Sequence, residues 1–292
     1  MFKRLSRVFS LVMVVALIAT TAAWAAAIDP LNRTVTTPKL FLDWSETNPE
    51  EILDVQYMGS ANLTNVAANE NCPAGGDLEF FGNAWVSENE GTPDFVFVSL
   101  VGWGTTGTWD KHNKHKVYVH SESSGCPGSA EVPVFTKYKF FDRGQTANRF
   151  RMQRRFDFGS TAFAHDVRPY IPRLYPMDGY TQVIHPDALG TTLLTEDSTV
   201  CDFGCEVTDW NGLWFAIHNP TTGDGLIVRR GGDEPASASL WVDQDTASFT
   251  NASSVLLKQP EGGFTGFVNE VEFMCFYNSA RWTPSLELPP AC

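Results

Sequence analysis

The sequence predicts an all-β protein, a large antiparallel β-sandwich with few or no helices, and three observations carry that reading. The run Arg149-Phe150-Arg151-Met152-Gln153-Arg154-Arg155-Phe156-Asp157-Phe158 alternates polar and apolar side chains, and successive side chains of a strand point to opposite faces. Phe150, Met152, Phe156 and Phe158 therefore share one face. Aromatic residues make up 13% of the chain beside 23 glycines and 17 prolines, a composition of many strands joined by shaped turns. No long stretch repeats its apolar residues at the helical period.

Taken in order, residues 1–27 read as a secretory signal. Lys3, Arg4 and Arg7 precede an apolar run from Val8 to about Ala22, and small residues follow around Ala23-Trp24-Ala25. Residues 28–292 form a single β-sandwich domain on this reading, because no linker-like or charge-rich stretch divides them. Strand patterns then recur at Ile52 to Tyr57, Leu78 to Phe81, Phe95 to Val101, Lys116 to His120, Val132 to Phe141, Arg149 to Phe158 and Thr181 to His185. Further on they recur at Leu213 to His218, Leu226 to Arg229, Leu240 to Asp243, Ala247 to Phe249, Ser254 to Leu257 and Phe267 to Tyr277. Leu213 to His218 and Leu226 to Arg229 flank a Gly-, Asn- and Pro-containing turn and hardly alternate, so they should form a hairpin covered on both faces. The segment Arg168-Pro169-Tyr170-Ile171-Pro172-Arg173-Leu174-Tyr175-Pro176 lacks three backbone donors and is expected to be an extended loop.

The chain has 292 residues and a formal charge of −13. Its 21 basic residues, less the three near the N-terminus, leave 18 against 34 acidic ones. This balance argues against nucleic acid as a partner, and no stretch after the signal is long and apolar enough to insert in a membrane. A secreted or periplasmic protein is expected. Six cysteines suit an oxidising compartment; the favoured pairing is Cys201 with Cys205, Cys72 with Cys126 and Cys275 with Cys292. Neither a metal site nor a cofactor is expected: Cys201 and Cys205 have no second close ligand pair, and the lysines among His112, His115 and His120 oppose a cation.

Signatures of serine hydrolases, zinc peptidases, phosphate loops and dinucleotide folds are absent. What remains is a set of out-of-place polar residues. Arg154 falls on the apolar face of its strand, where a guanidinium needs a carboxylate or the edge of a groove. Glu270 and Glu272 lie two apart in Phe267 to Tyr277 and so share a face, which suits a general base or a partner for Arg154 but also an ordinary solvated strand end. His165 and His185 adjoin turns; each fits a general acid or a half-buried histidine bonded to backbone. The strand face of Arg149, Arg151 and Arg155 could grip an acidic sugar bidentately but also suits a solvated outer sheet face; Arg168 and Arg173 of the proline-rich segment are site candidates, and Trp241, on a strand face with Asp243, could stack on a sugar ring. Carbohydrate is the expected partner.

The order of these elements resembles the galactose-mutarotase-like proteins. It comprises Val55-Gln56-Tyr57-Met58-Gly59 early, the pair Val132 to Phe141 and Arg149 to Phe158, a histidine-bearing middle loop and a late strand with Glu. The resemblance implies a β-supersandwich, and for an epimerase a His acid with a late-strand Glu base, here His165 or His185 with Glu270 or Glu272. The family's Asn-His-x-Tyr-Phe-Asn type of segment is missing, with Ala164-His165-Asp166-Val167-Arg168 in its place. Gln182-Val183-Ile184-His185 is also similar to the Gln-x-His strand of jelly-roll alginate lyases, but with one residue more, which sends Gln182 and His185 to opposite faces. The expected function is a carbohydrate-binding or carbohydrate-active protein working by epimerase- or lyase-like proton transfer. The alternatives are a non-catalytic carbohydrate-binding module and an envelope or matrix protein.

Overall fold

A computed structural model describes residues 26–44, 52–59, 83–88, 96–99, 106–122, 133–142, 148–159, 167–174, 179–197, 200, 205–231, 239–245, 252–258, 266–289 and 292. Among them there are nineteen strands and no α-helix. A first sheet runs β1 (Ala27–Asp29), β2 (Thr34–Thr36), β3 (Leu40–Trp44) and β4 (Ile52–Tyr57), each paired with the next. The chain continues through β5 (Asn83–Glu88), β6 (Val96–Ser99), β7 (Thr106–Asn113), β8 (Lys116–Glu122), β9 (Pro133–Phe140), β10 (Arg149–Gly159) and β11 (Val167–Leu174). Then come β12 (Gln182–Pro186), β13 (Leu193–Asp197), β14 (Cys205–Val207), β15 (Trp214–His218), β16 (Gly225–Arg230), β17 (Ser239–Asp245), β18 (Ala252–Lys258) and β19 (Gly266–Tyr277). Nine strands form an antiparallel sheet in the order β13-β12-β15-β16-β19-β10-β9-β8-β7, and six form another, β14-β17-β18-β11-β5-β6.

The alternation in β10 decides which face of the large sheet is buried. Phe150 and Met152 are fully buried, while Arg151 and Gln153 between and beside them are half-buried. One core unites this inner face with the small sheet and with Val207, Leu240 and Val242 of the six-stranded one. Its centre is aromatic: Trp44, 1% exposed, meets Tyr138 at 5.3 Å, Trp109 at 5.7 Å and Phe140 at 6.1 Å, all edge to face. That geometry sets the positive rim of one ring against the negative face of the next.

The outer face of the large sheet is covered at one end by the C-terminal tail. Ile184, Trp214, Ala216, Ile227, Cys275, Tyr277 and Cys292 form a second core, against which Trp282 and Leu288 pack. β15 and β16 are thus sandwiched, as their unbroken apolar runs require. The disulfide Cys275–Cys292 (Cα–Cα 5.9 Å) fixes the tail, in agreement with the pairing expected from sequence. Cys205 is also disulfide-bonded; Cys72, Cys126 and Cys201 lie outside the described residues, as do the expected strands Leu78 to Phe81 and Ala247 to Phe249 and residues 1–25 of the signal.

One expectation is corrected. The proline-rich segment is not a loop but β11, flanked on both sides by β18 and β5. The ladder takes in Pro172 through an irregularity, while Pro169 stays in register opposite Val86: Tyr170 and Arg173 are three residues apart but pair with Lys258 and Leu256, two apart, so Ile171 and Pro172 sit in a bulge. A bulged residue is outside the ladder, so a proline there forfeits no hydrogen bond.

Candidate functional site

Along β10 and β19 the inner face changes from apolar to polar within three ladder rows. Phe140, Phe150, Met274 and Val228 form the first, all 0–1% exposed. Tyr138, Met152, Glu272 and Arg230 form the second, and Thr136, Arg154 and Glu270 the third. The register thus sets Arg154 opposite Glu270 and Arg230 opposite Glu272. Directly paired residues of an antiparallel sheet share a face, about 4.5–5.5 Å apart at Cβ. The polar set is therefore built by register, and a slip of one residue would carry it to the outer face.

Arg230 shows why charge is tolerated here. It is 8% exposed, donates from Nη1 to the Gly212 carbonyl oxygen at 3.1 Å and stands 6.0 Å from the Trp210 ring. A buried guanidinium needs an opposite charge nearby, and the row supplies the Glu272 position. Thr136, 1% exposed, has a buried Oγ1 with no hydrogen-bond partner among the described residues.

The other sequence-derived candidates are not gathered there. His185 is fully buried in β12; its Nδ1 lies 2.9 Å from the Pro186 carbonyl oxygen and its Nε2 3.7 Å from Glu196 Oε1. β15 and β16 intervene between β12 and β19, so three strand spacings, roughly 14 Å, separate His185 from the Glu270 and Glu272 strand. Arg151 belongs to the outer face, 5.9 Å from the Phe273 ring. Arg168, Arg173 and Trp241 belong to the six-stranded sheet, where Arg173 and Trp241 both pair with Leu256 and so share a row. Trp241 falls between the core residues Leu240 and Val242, at a position on the opposite face. His165 lies outside the described residues.

A second polar constellation sits at the far end of β19, about seven residues or roughly 23 Å from Glu270. Tyr57, Met58, Gly59, Tyr180, Asp224, Gly225, Tyr277 and Asn278 line a cavity of about 200 Å³. Met58 holds φ at 52° without being glycine, a conformation that needs support from its surroundings; its N–H donates to the Lys39 carbonyl oxygen at 2.7 Å. Gly225 is required: a Cβ there would strike the Tyr277 hydroxyl and the Ile217 carbonyl oxygen. Burial, with Tyr180 and Asp224 adding to it, pushes the Tyr277 phenol well above its ordinary range, and burial with Asp224 pushes Tyr180 up to about 12. Burial lowers His218, against the opposing pull of Asp224. The Tyr277 hydroxyl lies within hydrogen-bond distance, 3.0 Å, of His218 Nδ1, with the direction set by the imidazole tautomer. This is a site of neutral hydroxyls around one carboxylate.

Sequence reasoning placed His218 beside a turn but missed Tyr57, Tyr180 and Tyr277 as a group, since they come from three distant segments. The available signal was the Asn219-to-Gly225 turn, whose Asn219 Oδ1 accepts from Thr221 N at 2.9 Å and Thr222 N at 3.2 Å. Such a built turn positions its Asp224 firmly. No group of three or more His, Cys, Asp or Glu residues that would hold a metal occurs among the described residues.

Comparison with solved structures fits this architecture. A proposed aldose 1-epimerase from Klebsiella pneumoniae subsp. pneumoniae MGH 78578 matches with a TM-score of 0.53 at 12% identity, over 85% of this chain and 79% of that one. A proposed aldose 1-epimerase from Escherichia coli K12 matches with 0.50 at 12%, over 84% and 98%. The galactosidase domain of the alpha-galactosidase–sucrose kinase AgaSK matches with 0.52 at 10%, over 87% of this chain but only 42% of that one, so this chain spans about two fifths of its length. No protein-family model and no curated protein sequence matches. The chain has the galactose-mutarotase-like β-supersandwich fold.

Proposed function

We propose that the protein is carbohydrate-active and receives a sugar over the polar end of the inner face, where the register sets the Arg154, Glu270, Glu272 and Arg230 positions in adjoining rows. The observation that carries this reading is the pairing of Arg154 with Glu270 one row from that of Arg230 with Glu272. Two glutamate positions set opposite arginine positions one row apart suit general-base chemistry, in which a carboxylate takes a proton from the substrate carbon or hydroxyl. The arginines would hold the ring oxygens or a uronic carboxylate. The fold neighbours, proposed aldose epimerases and a galactosidase domain, support a sugar as substrate class. The leader-like residues 1–27 and the disulfides support a secreted or periplasmic site of action.

The separation of His185 from β19 favours a second reading, a binding module that uses the same inner face without a poised acid. A screen of neutral and uronic saccharides that records binding, anomer exchange and unsaturated products tests both. Turnover abolished by Glu270→Gln or Glu272→Gln supports the enzyme. Binding without turnover supports the module, and neither one contradicts the assignment to carbohydrate.

A further inference from the structure

On the outer face of the large sheet one ladder row crosses five strands as Lys116, Lys139, Arg151, Phe273 and Arg229. Four of the five are cations, in a chain of net charge −13. Like charges directly opposite each other weaken a sheet, yet Lys116 faces Lys139, and Lys139 faces Arg151. Arg149 joins them: its guanidinium is 4.5 Å from the Phe141 ring and 5.9 Å from Phe273, and Arg151 and Arg229 each stand 5.9 Å from that same Phe273.

Stacking on rings orients guanidiniums but leaves their N–H edges unfilled. The Nε atoms of Arg149 and Arg151 are buried without a hydrogen-bond partner, and no Asp or Glu among the described residues pairs with Lys139, Arg149 or Arg151. Arg229 is anchored by donating to the Cys292 main-chain oxygen at 2.7 Å and is otherwise exposed. From Lys116 to Arg229 the row spans four strand spacings, roughly 19 Å, which suits a repeating anion better than a single one.

We propose that this outer face is a second binding surface, separate from the inner-face site, and that it takes an acidic polysaccharide. Carboxylates or sulfates spaced along the chain would pair with the arginine edges, and sugar rings would lie against Phe273 and Phe141. The surface does not depend on the inner-face reading, since the two occupy opposite sides of β10 and β19.

The test is calorimetric titration of the full-length protein with polygalacturonate, dextran sulfate and neutral dextran at low and high salt. Arg151→Gln and Lys139→Gln are examined singly and together, after circular dichroism and melting have shown them folded. Binding of either polyanion, weakened by salt and by about tenfold for each cation removed, with none of neutral dextran, is the expected result. If only one polyanion binds, the anion is a carboxylate or a sulfate accordingly. Absence of polyanion binding, affinity unchanged in the double variant, or equal affinity for a DNA duplex would overturn the proposal. So would self-association at low salt that the double variant abolishes without any polyanion binding, which would make the row a contact for a second copy. Because the variants leave the inner face intact, their turnover or binding of neutral sugars reports separately on that site.

Discussion

Arg154 stands directly opposite Glu270 in the antiparallel register of β10 and β19. The pair occupies the face on which Met152 and Phe150 are fully buried, so a charge left alone there is expensive while a matched pair is tolerated. Arg154→Gln and Glu270→Gln are each expected to destabilise the fold by about 2–3 kcal/mol, with the double variant recovering about 1 kcal/mol or more of the sum. Urea unfolding of the four proteins measures this; strict additivity would show that the two side chains do not meet.

Gly225 is expected to resist substitution. Gly225→Ala should cost about 1–3 kcal/mol, because the methyl group displaces the Tyr277 hydroxyl or the Ile217 carbonyl. The imidazole resonances of His218, which stacks on Tyr277 at 6.1 Å, should shift in the same variant. An unchanged spectrum would contradict the contact.

The lowered His218 gives a pH dependence of definite sign. Its folded pKa lies below the unfolded value of 6.5, so as pH falls below that value the unfolded chain takes up the proton first and stability declines until the folded value is reached. Stability is therefore retained above about pH 6.5. His218→Gln should flatten this part of the wild-type profile between about pH 5 and 7, as read by chemical unfolding across that range. An equally steep variant would assign the slope to other groups.

The Cys275–Cys292 bridge closes a loop with a sequence separation of 17. Replacing both with serine should lower stability by about 3 kcal/mol and loosen the tail from the second core. Because Trp282 of the tail lies 6.3 Å from Trp214, tryptophan fluorescence should change with the melting temperature. A lower melting temperature with unaltered emission would place the loss elsewhere.

Much of the fold was legible because its strands carry period-two patterns. Arg149 to Phe158 anticipated β10 almost residue for residue, and Phe267 to Tyr277 anticipated β19. β1, β2 and β14 were missed since three residues are too few to show a period, and β3, β5, β7 and β13, though longer, were missed as well. β11 was misjudged because a bulge accommodates Pro172, and bulges leave no local signature. Arg154, Glu270 and Glu272 were singled out by the wrong polarity at their positions, a local cue, whereas the partnership of Arg230 with Glu272 depends on strand order. The basic face of Arg149 and Arg151 is legible in the alternation of β10, but the tyrosine cavity and the extension of that face across Lys116, Lys139 and Arg229 emerge only once distant strands are laid side by side.

The most direct test of the inner-face site is ligand-detected NMR with a panel of neutral and uronic mono- and oligosaccharides on the wild type and on Arg154→Gln/Glu270→Gln, once the double variant is shown to be folded. The account expects saturation transfer to at least one sugar in the wild type and its loss in the double variant. Transfer that persists undiminished in the double variant, or that Gly225→Ala alone removes, would move the sugar away from β10 and β19 and contradict it.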